Sequence, residues 1–306
     1  MFQTALPQYA GFHAAARCLS GGPVVITDTP GDHDVDLIQQ MTATTPGGHS
    51  ITLRPTSMAT PSDPYMSYTS SKLLRITNVY LGSSSRVDAE VASFVGFFNI
   101  STIPARDLFR LSDFDGLLEG FYYVTRSYRS GHITPPVSRA NADDAFMTLR
   151  LEPGEWDILT AVPATRVFDS SNNIACYVGT FGLGTNMTGA AAVIDTSVDD
   201  IADGNGLGCG ISIRYSLSAL GTLCRHSYYS FLHFDKRRRY TNSTTKFKWS
   251  MFPTLSITAC GLRFLGCLCT RTRVIGGFIQ IIRILWRSLL TRLMRSCFRA
   301  LGIPGK

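Results

Sequence analysis

Asp28, Asp32, His33, Asp34 and Asp36 form a short run of carboxylates around one imidazole. Such groups hydrogen-bond polyhydroxylated ligands, exchange protons or hold cations. The cation reading fails on spacing. Calcium loops want oxygen ligands on alternate residues closed by a bidentate Glu, and zinc wants a His or Cys partner at short spacing. Neither pattern is present, so no metal is expected. Two readings of Asp28, Asp32, His33 and Asp34 remain open: a substrate-side loop, or a structural one. In the structural reading Asp34 or Asp32 caps the next helix while Pro30-Gly31 makes the turn.

The flanking sequence has to position this loop. Ala14 to Leu19 are mostly good helix formers, and Gly21-Gly22 ends that run. Pro23-Val-Val-Ile-Thr27 is a short β-branched segment of the kind buried in parallel sheets. After the loop, Val35, Leu37, Ile38 and Met41 resume a helical apolar spacing. The pattern predicts one α-β-α step of an α/β sheet or barrel, folds in which loops at the carboxyl ends of strands build the active site.

These residues resemble a known family: the raffinose synthases, alkaline α-galactosidases and seed imbibition proteins, a branch of glycoside hydrolase family 36. The resemblance rests on Tyr9-Ala-Gly-Phe-His-Ala-Ala-Ala-Arg17, Gly21-Gly-Pro-Val-Val-Ile-Thr-Asp28 and Pro30-Gly-Asp-His-Asp34, then Leu53-Arg54-Pro55. It continues in order through Leu73-Leu-Arg-Ile, Val95-Gly-Phe-Phe-Asn99, Leu111-Ser112, Glu155-Trp-Asp-Ile-Leu159 and Met187-Thr-Gly-Ala-Ala191, and ends near residue 222. It implies α/β plus all-β architecture: residues 1–48 as the last βα step of a (β/α)8 (TIM) barrel, and residues 49–222 as an antiparallel β-sandwich. It also implies nucleophile and acid/base aspartates on earlier barrel strands, upstream of Met1, so no residue here inherits a catalytic role. Retaining glycoside hydrolysis needs two carboxyl groups about 5 to 5.5 Å apart, which one strand and loop do not display. A single step leaves Val24, Val25, Ile26, Leu37 and Ile38 short of partners, and poor autonomous folding of the first ~45 residues is expected.

From Ser50 to about Leu217 the apolar residues come in short β-branched and aromatic runs separated by Gly, Pro, Asp and Ser. That rhythm predicts the antiparallel sandwich independently of the resemblance. Gly182-Leu-Gly184-Thr-Asn-Met-Thr-Gly189 has the wrong spacing for a phosphate-cradling loop and is expected to be a hairpin. Asn99-Ile-Ser, Asn186-Met-Thr and Asn242-Ser-Thr are glycosylation acceptors only in a secreted chain; no signal segment is read at the N-terminus, and they are expected to be idle.

Charge divides the chain. Residues 225–306 hold 16 Lys and Arg against Asp235 alone, a net of +15, whereas residues 1–224 carry −8. Residues 223–306 therefore read as a basic, Cys-containing tail, helical or disordered. Over residues 274–299, Phe278, Ile282, Leu285, Leu289 and Leu293 share one helical face. Arg283, Arg287, Arg295 and Arg299 lie on another, with Trp286 at the border. With Arg292, these five arginines argue against a membrane span and for a helix lying on an anionic membrane surface. A frame change or retained intron accounts for the abrupt loss of pattern more simply than an evolved anchor does. The basic run Lys236-Arg-Arg-Arg239 reads as a solvated face, and nucleic acid is not an expected partner. Cys18, Cys176 and Cys209 are widely spaced, as reduced cytosolic thiols are, and Cys267-Leu-Cys269 lacks the gap of a zinc knuckle.

Two functions are consistent with these features. One is part of a carbohydrate-active enzyme acting on α-galactosides or related oligosaccharides, inactive as this chain and needing no cofactor, because the chemistry runs on carboxylates. The alternative is a non-catalytic sugar- or partner-binding pseudoenzyme. The expected location is cytoplasmic, with peripheral membrane attachment through the tail as its variant.

Overall fold

Helix α1 (Pro7–Ser20) starts on a proline, whose fixed φ suits a first turn, and stops at Gly21, which sits at φ 73°. A side chain at Gly21 would also meet the Ser57 carbonyl, so both backbone shape and space demand glycine there. Helix α2 (Val35–Met41) is capped by Asp34, whose Oδ1 accepts the Leu37 amide at 2.9 Å. Between the helices the expected strand at Pro23–Thr27 is reduced to one parallel bridge, Phe2 with Ile26. The Phe2 amide donates to Val25 O at 3.2 Å and the Thr27 amide to Phe2 O at 3.0 Å. With a single bridging residue as partner, Val25 remains 48% exposed.

The computed structural model describes residues 2–67, 69, 71–82, 91–143, 146–168, 174–202, 209–229, 254–260, 268–275 and 278–280. After α2, β1 (Thr42–Thr44) pairs with β2 (Ser50–Thr52) in a small antiparallel ribbon. There follow β3 (Thr60–Pro61), β4 (Leu74–Leu81), β5 (Val91–Phe98), β6 (Ala105–Arg110), β7 (Tyr122–Ser127), β8 (Val137–Ser138) and β9 (Phe146–Leu151). Next come β10 (Trp156–Phe168), β11 (Ile174–Leu183), β12 (Val193–Ala202), β13 (Cys209–Leu217) and β14 (Thr222–Tyr229). The last are β15 (Thr254–Cys260), β16 (Leu268–Ile275) and β17 (Phe278–Gln280). The largest sheet runs β17-β16-β14-β11-β10-β5-β4-β3, with β7 and β8 branching from β10; β12-β13-β15 form a second sheet and β6-β9 a ribbon. Every strand pair is antiparallel, and among the described residues no barrel closes.

Alternation along the central strands builds two cores. Phe94 and Phe98 of β5 and Ile158 and Val162 of β10 join Ala10, Ala14, Ala15, Cys18 and Leu19 of α1. Their neighbours Val95, Phe97, Leu159 and Ala161 face the other way, onto Phe109, Leu111, Phe114 and Tyr123. Alanines on the buried stripe of α1 let the helix lie close, and Gly96 leaves a groove for Leu19. The α-helical step is thus seated on the sheet, and Leu37 is buried with the same core.

Strand β10 changes partners along its length. Trp156 to Ala161 pair with β5, and Thr165 to Phe168 pair with β11. Pro163 lies between the two stretches, opposite Tyr123 of β7, where a missing amide donor costs no bond to β5 or β11.

The helix predicted over 274–299 is not what its first residues form. Residues 274 and 275 end β16 and residues 278–280 form β17, because β14 offers β16 an edge to pair with. Residues 281–299, with Arg283, Trp286, Arg287, Arg295 and Arg299, lie outside the described residues. Among the described residues no helix is long and apolar enough to cross a membrane.

Candidate functional site

The loop after Ile26 is organised by Thr4, a residue that sequence pattern did not single out. Thr4 is 1% exposed. Its hydroxyl donates to Asp28 Oδ2 at 2.5 Å and accepts the Asp34 amide at 2.9 Å, so one side chain ties both ends of the acidic loop. Asp28 also accepts the Ala5 amide at 3.1 Å, and His33 Nδ1 lies 3.2 Å from its Oδ2. Desolvation of the covered carboxyl opposes its charge. Donors from Thr4, Ala5 and His33 outweigh that effect and hold Asp28 down at about 2.

These donors use up most of the acceptor capacity of one carboxylate, about four lone pairs. Asp28 is therefore an ionised positioning group. With the carboxylate at Nδ1, the imidazole is oriented as the proton donor there, and this assignment of the tautomer follows from the hydrogen bond. The His33 side chain is 44% exposed, which leaves its far edge to solvent. Gly31 turns the chain at φ 98°, and the Asp32 amide closes the turn onto Thr29 O at 3.0 Å. Asp32 itself is exposed, and Asp34 is committed to its cap. The loop thus brings Asp28 and His33 together, whereas Asp34 is structural and Asp32 stands apart.

A polar clasp fixes this unit on the sheet. Asn78 Nδ2 donates to Leu19 O at 2.6 Å and to Ser57 O at 2.9 Å. Asn186 Nδ2 donates to Thr42 O at 2.7 Å and to Gln39 O at 3.0 Å. The Tyr128 hydroxyl donates to Gln40 Oε1 at 2.8 Å, and the Thr188 hydroxyl to Leu53 O at 2.7 Å. The stretch 182–189 is accordingly not the expected hairpin: β11 and β12 lie in different sheets, and the connection packs on α2. Asn99 and Asn186 are both buried, and their amides are bonded to backbone carbonyls, so neither is presented for glycosylation. Asn242 lies outside the described residues. Among the described residues no group of three or more His, Cys, Asp or Glu is placed to hold a metal.

The residues that build the loop also carry the likeness to known proteins. Residues 1–80 match the family described as raffinose synthase or seed imbibition protein Sip1. Over this segment the chain is similar to the raffinose synthase family. A galactinol–sucrose galactosyltransferase of Oryza sativa subsp. japonica is 51% identical over 41 residues, 13% of this chain and 5% of that protein. A probable galactinol–sucrose galactosyltransferase 5 of Arabidopsis thaliana matches to the same extent. The matched stretch thus spans 5% of the length of these relatives. The family match ends at residue 80, short of the expected limit of the resemblance near residue 222.

Proposed function

We propose that residues 28–34 form the sugar-facing loop of a galactosyl-oligosaccharide protein related to the raffinose synthases. In this reading the α1–bridge–α2 unit is the last step of a (β/α)8 barrel, and the complete assembly transfers or hydrolyses α-galactosyl groups by the retaining route. The loop itself binds and orients. What supports this is the saturation of Asp28: a carboxylate held ionised by Thr4, Ala5 and His33 serves poorly as a proton donor at neutral pH and has little capacity left for attack. Asp34 is spent on the helix cap. His33, turned outward, is the side chain left to contact a sugar hydroxyl.

The test is to incubate the purified chain with a chromogenic α-galactoside and, separately, to titrate it with raffinose. No turnover is expected, and His33→Ala should weaken raffinose binding at the loop. Turnover that Asp28→Asn abolishes would make Asp28 a reacting group and overturn the assignment.

A further inference from the structure

Away from the 28–34 loop, the sheet carries a ledge of rings around an exposed guanidinium. The strand register sets Arg166 of β10 opposite Tyr177 of β11, and Ala164 opposite Tyr122 of β7. Side chains two apart on a strand share a face, so Tyr122, Arg166 and Tyr177 come together on one surface. The Arg166 guanidinium carbon lies 5.3 Å from the Tyr122 ring centroid and 5.9 Å from that of Phe168. Tyr122 and Tyr177 are 5.0 Å apart between centroids, tilted by 47°. Phe168 is 39% exposed and Phe121, next to Tyr122, 36%.

Among the described residues Arg166 makes no salt bridge. Two ring contacts hold a guanidinium while leaving its in-plane N–H groups free, a planar fork that matches a pair of neighbouring oxygens. The rings add apolar faces that lose little rotamer freedom when a ligand packs on them. Adjacent hydroxyl oxygens around an apolar C–H face describe a pyranose ring. A simple carboxylate would use the fork and leave the rings idle. Single-stranded nucleic acid would use the rings, but it gains its affinity from several phosphate contacts. Arg126, the nearby guanidinium on β7, is already bonded to Gly184 O at 3.0 Å.

We propose that Arg166, flanked by Tyr122, Tyr177 and Phe168, forms a surface site for one pyranose unit of an oligosaccharide, separate from the 28–34 loop. The full chain titrated with raffinose under saturation-transfer NMR tests it. Wild-type protein should transfer magnetisation to sugar C–H protons. Arg166→Ala and Tyr122→Ala should each raise the Kd of this site by about tenfold, the scale of losing a cation–π-supported contact. Arg166→Lys should not restore binding, because an ammonium lacks the planar fork. Arg166 is exposed, so its variants test the site even if Tyr122→Ala fails to fold, and Arg166→Gln gives a second reading.

His33→Ala should leave the Arg166-dependent signal in place. Raffinose binding that survives Arg166→Ala and disappears in His33→Ala overturns this site while sparing the loop assignment. Absence of any transfer overturns it too, as does steeply salt-dependent binding of a single-stranded oligonucleotide in preference to raffinose.

Discussion

Substituting Gly96 by Ala tests whether α1 is truly part of the sheet's core. Gly96 lies in the middle of β5, paired with Ile76 on one side and Ile158 on the other, and it faces α1 between Phe94 and Phe98. An added Cβ would run into Leu19 Cδ1 and sit 2.7 Å from Phe98 Cε2. Leu19 and Phe98 are both 0% exposed, so neither ring nor methyl has free space to move into. Overpacking of a filled core costs about 1 to 3 kcal/mol. Leu19→Ala alone should cost about 2 to 5 kcal/mol through lost burial and the cavity it leaves.

In the double variant the new methyl fills part of the space that Leu19 vacated. The two costs should therefore sum to less than their separate values by about 1 kcal/mol or more, beyond the ~0.5 kcal/mol expected of independent sites. Urea unfolding of the four proteins, with a shared m value, gives this coupling directly. Additive effects would mean that Leu19 does not sit over Gly96. The seating of α1 on β5 would then be wrong.

Two further outcomes follow from titrating groups. Burial pushes the Cys18 thiol up to about 12, with a hydrogen bond from Thr188 working the other way, so the folded protein should leave Cys18 unmodified by iodoacetamide at mildly alkaline pH. Peptide mass spectrometry with and without urea checks this, and fast labelling of folded protein would contradict it. Asp28 is held at about 2, below its unfolded value, so its stabilisation is fully present above the ordinary carboxylate range and lost as pH falls toward 2. Urea midpoints measured between about pH 5 and pH 2 should fall less steeply in Asp28→Asn than in the wild type. Equal slopes would show that the Thr4, Ala5 and His33 contacts do not form.

Local chemistry made some of this legible in the sequence. Gly21 announced the end of α1, Asp34 or Asp32 announced a cap, and the short β-branched and aromatic runs between Ser50 and about Leu217 announced antiparallel strands. What sequence could not reveal depends on distant partners. Thr4 acts through residues 24 and 30 positions away, and nothing in Thr4-Ala-Leu distinguishes it from any exposed threonine. The Pro23–Thr27 run has every strand propensity, yet propensity does not supply a neighbouring strand, and Phe2 provides only one bridge. Gly182 and Gly189 suggested a hairpin because turn residues report a change of direction without saying which sheet the chain enters next. In residues 274–280 the apolar spacing suits a helix, but pairing along β14 and β16 selects strand.

The clasp made by Asn186 bears on how the chain is made. Thr42 and Asn186 are 144 residues apart, so the backbone carbonyls at the end of α2 wait for their donor until most of the sheet has been synthesised. At the usual elongation speed that delay is roughly 7 to 30 s. During it the nascent N-terminal unit carries Gln39 and Thr42 carbonyls without their Asn186 donor, while the strands beneath α1 emerge one after another. Folding of residues 1–80 is thereby tied to the ribosome's arrival past residue 186, and a nascent chain stalled before that point would present its family-like segment unclasped.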